Sequence, residues 1–144
     1  MLVVKHTKEL TQVELVKILK QRVAVFVVEQ KCPYQEVDDD DLDDLHIYLE
    51  ENNEIQAYIR LMDRGDFVNF GRVLVVKKFR GKGLGRQIVQ DTLDIIAKKY
   101  PHKPIKIQAQ HYLEDFYKSF GFKPKSKVYL EDGIPHLDME LDPE

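Results

Sequence analysis

Apolar residues along this chain recur with two different spacings, which predict a mixture of helices and strands. Residues 2–5 have the pattern of a short strand. Thr11 and Glu14 then form a capping-box sequence, in which each side chain accepts a hydrogen bond from an unpaired amide at a helix start. The apolar positions that follow, three and four residues apart, predict a helix that continues to about Val28 and whose inner stripe includes Arg22.

The central part of the chain predicts three successive strands, over 46–50, 55–62 and 67–76, joined by polar turns. The last strand ends in a continuous apolar run from Val73 to Val76. Such a run is typical of a strand that is buried on both faces. We therefore expect this strand to lie near the middle of a sheet.

The second half of the chain begins with a helix predicted over 87–100, which Pro101 ends. No repeat or linker interrupts the 144 residues, of which 43% are hydrophobic, so we expect a single domain over residues 1–144. The remaining alternation and turn residues predict a strand, a short helix and two final strands, over 105–108, 112–120, 127–130 and 136–141.

The composition favours a cytoplasmic protein that does not contact membranes. No apolar run approaches the roughly 20 residues that span a bilayer, and the first ten residues are charged rather than signal-like. Cys32 is the one cysteine, and its lack of Cys or His neighbours at ligand spacing predicts no metal site. Two interpretations of Cys32 remain, a reactive thiol and a small buried residue.

Two segments carry concentrated charge of opposite sign. Residues 36–44 contain seven acids, whereas residues 77–86 contain five cations. The acidic segment is either a solvated loop or a region that attracts a cationic substrate. The net charge of −3 disfavours a nucleic-acid binder, although the basic segment leaves that interpretation open to a salt-dependence test.

A glycine-rich loop follows the apolar strand and precedes the long helix. Its glycines, at positions 81, 83 and 85, allow several backbone N–H groups to point at one anion such as a pyrophosphate. A flexible basic turn is the alternative. Arg86 stands where a dinucleotide-binding loop needs glycine and where a Walker loop also needs glycine, so neither of those nucleotide sites is supported.

The loop and a second segment together resemble the GNAT acetyltransferases. Residues 80–85, R-G-K-G-L-G, match the family's [QR]-x-x-G-x-[GA] loop, and residues 117–122, Y-K-S-F-G-F, match its Y-x-x-x-G-F pattern. The flanking segments 22–30, 32–34 and 131–136 are similar to those of the ElaA-type branch of the family. The resemblance spans nearly the whole chain.

This resemblance implies an α/β (α+β) fold with a mixed, mostly antiparallel sheet of about six to seven strands, splayed at its centre, and helices on both faces. Acetyl-CoA would lie in the splay, between the strand ending at Val76 and the strand near Ile107, with its pantetheine arm paired like an extra strand. The residues implied in cofactor binding are Val73, Leu74, Val75, Arg80, Gly81, Lys82, Gly83, Leu84, Gly85 and Arg86.

The implied chemistry is acyl transfer from a thioester to an amine. By resemblance, Tyr117 stands where many family members carry the general acid that protonates the coenzyme A sulfur, although a core aromatic is the alternative. A backbone N–H around Leu74 and Val75 would stabilise the oxyanion. Glu29 and His111 are candidate bases, and proton relay through water is equally open.

The sequence therefore predicts an N-acetyltransferase that uses acetyl-CoA and acts by direct attack in a ternary complex. The acceptor would be a primary amine of a small molecule or peptide, and the protein a monomer or homodimer. The alternative is an acetyl-CoA-binding sensor or interaction module without turnover, because a cofactor-binding motif alone does not establish catalysis. His46 and His136 are expected to be structural histidines within strands.

Overall fold

The computed structural model describes residues 1–143. Within them, eight strands form one sheet in the order β1-β2-β3-β4-β5-β8-β6, with β7 paired to β8. Three α-helices accompany the sheet, and none of the helices in the described residues is long and apolar enough to cross a membrane. The strands are β1 (Leu2–His6), β2 (Leu45–Glu51), β3 (Glu54–Asp63), β4 (Val68–Val75), β5 (Ile105–Gln110), β6 (Lys123–Pro124), β7 (Tyr129–Glu131) and β8 (Ile134–Leu141), and the helices are α1 (Gln12–Val23), α2 (Leu84–Lys99) and α3 (Glu114–Lys118).

The sheet is antiparallel except at its centre. β4 and β5 are parallel and pair only at Val68 and Ile105, near the start of both strands. β5 then pairs with β8 along its whole length, from Ile105 opposite Leu141 to Gln110 opposite His136. Beyond their single pair β4 and β5 diverge, so the splayed, mixed sheet expected from the sequence is confirmed.

Helices cover both faces of the sheet, as expected. Neighbouring side chains on a strand point to opposite faces, and Ile59 packs in the core cluster that contains α2, whereas Tyr58 packs in the cluster that contains α1. Ile88 of α2 and Ile18 of α1 are fully buried in these two clusters.

The first helix begins as predicted but changes its winding. Thr11 caps α1, and Glu14 accepts a hydrogen bond from the Thr11 amide, which completes the capping box. The segment Ala24–Glu29 continues the helix as a π-helix, a change that the apolar spacing did not predict. The wider turn of a π-helix rotates the side chains of this segment, including Glu29 at its end, away from the directions that a regular α-helix would give them.

One detail of the predicted strands is wrong, and one strand was not predicted. In the run from Val73 to Val76, Leu74 is buried but Val73, Val75 and Val76 are only partly buried, because β4 borders an open gap instead of a second complete ladder. The two-residue strand β6 was not predicted, since so short an element has no periodicity of its own.

Candidate functional site

The divergence of β4 and β5 opens a cavity of about 730 Å³ in the middle of the sheet. Val73, Leu74 and Val75 form one wall, and β5 forms the facing wall. Tyr117 of α3 and His136 of β8 also line it. The cavity thus lies where the resemblance implies that the acyl donor binds.

The free edge of β4 presents the backbone of Val75 to this gap. The N–H of Val76 donates to the carbonyl of Gln56 in β3 at 2.9 Å, and successive N–H groups along a strand point in opposite directions. The N–H and carbonyl of Val75 therefore face away from β3. Of the two oxyanion donors expected from the sequence, Val75 is the one whose orientation fits, because the Leu74 N–H points toward β3.

The glycine loop ends in an unpaired helix terminus. Gly83 is the N-cap of α2 with φ of 77°, and Gly81 has φ of 84°, both in the left-handed region that favours glycine. The first helical hydrogen bond runs from the Gln87 N–H to the Gly83 carbonyl at 3.1 Å. The N–H groups of the three residues between them have no partner within the helix, as at any helix start.

The space outside this terminus is open. A Cβ atom built on Gly81 or Gly83 meets no heavy atom within 4 Å, and one built on Gly85 meets only Val75 Cγ2 at 3.6 Å. Free N–H groups, the helix dipole and open space fit the pyrophosphate of a coenzyme A molecule.

Arg80 and Arg86, at the two ends of the loop, are engaged with the protein rather than free. Arg80 contacts both carboxylate oxygens of Glu29, at 2.6 and 2.9 Å, and its Nε donates to the Val75 carbonyl at 2.9 Å. Arg86 donates to Ser119 Oγ at 2.8 Å and lies over the ring of Phe120. Contacts of Arg80 and Arg86 with phosphate, inferred from the family resemblance, remain predictions and would compete with these bonds.

Tyr117 lies in the cavity wall and within an aromatic cluster at once. The residue is 4% exposed, and its ring packs against Phe70, Phe116 and Phe122. Burial raises the pKa of the Tyr117 hydroxyl above its usual range, which keeps the phenol protonated. The packing role and the predicted role as a proton donor are therefore compatible.

The two candidate bases have different surroundings. Glu29 lines the cavity, but the hydrogen bonds from Arg80 lower the pKa of its carboxyl and so weaken it as a proton acceptor. His111 does not line the cavity, its side chain is 51% exposed, and its Nε2 lies 3.6 Å from Glu114. Neither geometry favours the residue as a base, and both assignments stay predictions.

The acidic segment 36–44 does not form the solvated loop or the unpaired negative field expected of it. Glu36, Asp41 and Asp44 are buried, and arginines from three elements pair with the segment. These arginines are Arg22 of α1, Arg60 of β3 and Arg72 of β4. Arg22 can therefore occupy the buried stripe of α1, because the carboxylates that pair with it come from the segment after the helix.

Three further residues near the cavity have contacts that the sequence did not reveal. Asn69 of β4 donates from Nδ2 to the Lys106 carbonyl of β5 at 2.6 Å, so a side chain spans the splay where the backbone ladder stops. Cys32 is buried, lines the cavity and donates to the Asp132 carbonyl at 3.4 Å. His136 Nδ1 lies 2.7 Å from the Ile134 carbonyl.

The structural histidine predicted at position 46 is satisfied at both ring nitrogens. His46 contacts Tyr58 Oη at 2.6 Å and Thr7 Oγ1 at 2.8 Å, and burial lowers its pKa to about 4. Among residues 1–143, no group of three or more His, Cys, Asp or Glu side chains is arranged to hold a metal ion.

Comparison with known proteins places this chain in a family. A model described as an acetyltransferase (GNAT) domain matches residues 8–143. The chain belongs to the GNAT acetyltransferase family. Protein ElaA of Escherichia coli is 45% identical, with 93% of this chain and 91% of ElaA covered, which identifies the ElaA type of GNAT protein.

Solved GNAT structures have the same fold. The crystal structure of an acyl-CoA N-acyltransferase from Pseudomonas aeruginosa matches with a TM-score of 0.93 and 40% identity, and covers 97% of both chains. The crystal structure of Escherichia coli ElaA matches with a TM-score of 0.92 and 43% identity, again over 97% of both chains. The acyltransferase fold predicted from the sequence is therefore confirmed.

Proposed function

We propose that this GNAT protein is an N-acetyltransferase that moves the acetyl group of acetyl-CoA to a primary amine of a small molecule or peptide. The single observation that carries the proposal is a continuous path. It leads from the unpaired N-terminus of α2, along the free edge of β4, to the cavity that Tyr117 lines. The P. aeruginosa relative, named an acyl-CoA N-acyltransferase, supports the donor class.

The donor would be held by backbone groups at two places. The N–H groups of Leu84, Gly85 and Arg86 have open space in front of them and would bind the pyrophosphate. The free edge of Val73 and Val75 would pair with the pantetheine arm in the manner of an added strand. Lys82, which lies within the loop and over the ring of Phe79, would add positive charge.

The chain's own groups provide two of the three functions that acyl transfer needs. An N–H of the free β4 edge would donate to the acyl oxygen, and the protonated Tyr117 hydroxyl would donate to the departing sulfur. The thioester of acetyl-CoA supplies an activated acyl group. Because Arg80 engages Glu29 and His111 lies outside the cavity, we favour direct attack by the amine in a ternary complex, with water accepting its proton.

The experiment has two stages. Calorimetry with coenzyme A first tests binding, and a panel of primary amines is then screened with acetyl-CoA by detecting free thiol. Binding together with amine-dependent thiol release supports the enzyme. Binding without release for any amine class favours the sensor alternative, and the absence of coenzyme A binding removes both.

A further inference from the structure

β4 contains a bulge among its cavity-lining residues. Arg60 of β3 pairs with Gly71, and Tyr58 pairs with Leu74, so a single residue of β3, Ile59, lies opposite two residues of β4. The two are Arg72 and Val73. A bulge of this kind bends its strand and increases the local twist. Here it lies within the stretch over which β4 has separated from β5, since the two strands pair only at Val68 and Ile105.

The bulge places an arginine in a backbone conformation that ordinary residues avoid. Arg72 has φ of 53°, in the left-handed region, which costs a side-chain-bearing residue roughly 1–2 kcal/mol. Glycine would adopt the same conformation without that cost, and Gly71 is its neighbour. The presence of arginine therefore calls for a compensating role of its side chain.

The guanidinium group of Arg72 is tied to the acidic segment. Its Nε lies 2.6 Å from Glu36 Oε2, and its Nη2 donates to the Glu36 carbonyl at 2.8 Å. The group also lies over the ring of Tyr34, with Cζ 5.5 Å from the ring centroid. Its Nη2 also lies 3.4 Å from Asp38 Oδ2, so four contacts fix the direction in which the side chain leaves the bulge.

Glu36, the partner of Arg72, is itself held in a fixed position. Glu36 is 3% exposed, and the same carboxylate oxygen accepts a hydrogen bond from Arg22 Nε at 2.9 Å. Arg22 is fully buried and also donates from two nitrogens to Asp41. Buried charges held by several partners are costly to rearrange, so this network has one favoured geometry.

We propose that Arg72 is a positioning residue, whose tether to Glu36 holds the β4 bulge and thereby keeps the free edge of Val73 and Val75 preformed for the pantetheine arm of the donor. The inference rests on the proposed function. Arg72 acts through the backbone that follows it. Without the tether, β4 can exchange between bulged and regular pairing with β3, and donor binding must then select the bulged form.

Two substitutions separate the tether from backbone strain. Arg72→Ala removes the tether and keeps an unfavourable φ, whereas Arg72→Gly removes the tether and relieves the strain. We expect the glycine variant to unfold at a higher temperature than the alanine variant. Both should nevertheless bind coenzyme A about ten-fold more weakly than the unmodified protein, because preorganisation is lost in both. Arg72→Lys keeps the positive charge but lacks the planar guanidinium group. Its affinity for coenzyme A should lie between that of these two variants and that of the unmodified protein.

A second ligand shows which part of coenzyme A accounts for the loss of affinity. Adenosine 3′-phosphate 5′-diphosphate contains the nucleotide and pyrophosphate of coenzyme A but no pantetheine, so its affinity should change less than about two-fold. Lys103→Ala removes one cation of the exposed Lys103–Asp63 pair and is the control for charge. An unchanged affinity of Arg72→Gly for coenzyme A, or equal losses for both ligands, would overturn the proposal.

A measurement without ligand distinguishes failure of the tether from failure of the proposed function. Amide hydrogen exchange of Leu74, whose N–H points toward β3, should accelerate at least about five-fold in Arg72→Gly, while exchange over residues 45–51 of β2 stays within about two-fold. Unchanged exchange at Leu74 would reject the tether even if coenzyme A binds. Accelerated exchange in a protein that never binds coenzyme A would retain the tether and reject its link to the donor.

Discussion

Arg80 at the start of the glycine loop is paired with Glu29 at the end of the π-helical segment, with Arg80 Nη1 2.6 Å from Glu29 Oε2. The pair joins two elements that border the cavity and are far apart in sequence. It engages both a cation inferred to bind phosphate and a carboxylate considered as a base. Substitution of Glu29 therefore tests both assignments.

We predict that Glu29→Gln binds coenzyme A up to about five-fold more tightly, because an exposed ion pair worth up to about 1 kcal/mol no longer competes for Arg80. Calorimetry at low and high salt measures this gain, which should shrink as salt increases. Once an amine substrate is found, kcat should stay within about two-fold, since the Arg80 hydrogen bonds already lower the Glu29 pKa. Glu54→Gln, which breaks the exposed Lys78 pair, is the matched control. A ten-fold fall in kcat would restore Glu29 as the base.

Gly85→Val should weaken coenzyme A binding by at least about ten-fold while the protein stays folded. Gly85 lies in the first turn of α2 without a positive φ, and an added Cβ makes only an ordinary contact with Val75, so the loss would come from blocked access to the N–H groups. Gly85→Ala should show a smaller loss. Gly83 is less suitable, since its φ of 77° would add strain. Equal affinity in a folded Gly85→Val variant would reject the phosphate assignment.

Tyr117→Phe should lower kcat while leaving the KM for acetyl-CoA within a few fold. A general acid contributes ~10²- to 10⁴-fold, although a thiolate leaves well enough that a ten-fold fall is still consistent with the role. Because burial raises the pKa of Tyr117, its deprotonation should produce no alkaline limb in the accessible pH range. Tyr100→Phe, at a partly buried tyrosine outside the cavity lining, is the control. An unchanged kcat would leave Tyr117 a packing residue.

The effect of Asp44→Asn on stability should become more favourable as the pH rises from about 5 to about 8. Burial raises the pKa of Asp44 to about 7, from 3.8 when exposed, so between these two values the unfolded chain releases a proton that the folded protein retains. The contribution of Asp44 to the stability of the unmodified protein therefore falls through that window, by up to a few kcal/mol at about 1.36 kcal/mol per pKa unit. The asparagine variant lacks this loss because its amide does not titrate.

Urea unfolding of both proteins at the two pH values isolates this contribution, because the other titrating groups are common to the pair. The unfolding free energy of the variant minus that of the unmodified protein should increase with pH. Asp39→Asn, at an exposed carboxyl of the same segment, is the matched control and should show no such increase. A difference that does not change with pH would show that Asp44 is ionised in the folded state throughout.

Local sequence patterns determined several of the structural elements and motifs of this protein. The Thr11 capping box, the glycine loop before α2 and the Tyr117 segment are each encoded within a few neighbouring residues, and each was recognised from the sequence. Backbone φ preferences, helix capping and apolar periodicity act over one or two turns, which is why such features can be read along the chain.

The tertiary structure decided what depends on residues far apart in sequence. The sequence shows an acidic segment and an arginine in an apolar strand, but only the fold brings Glu36 to Arg72 and Asp41 to Arg22. Gly71 beside Arg72 was the one local sign of a bulge, since glycine within a strand often marks one. Whether a charge is solvated, paired or buried depends on which elements pack against it, and that packing is set by the whole sheet and not by neighbours along the chain.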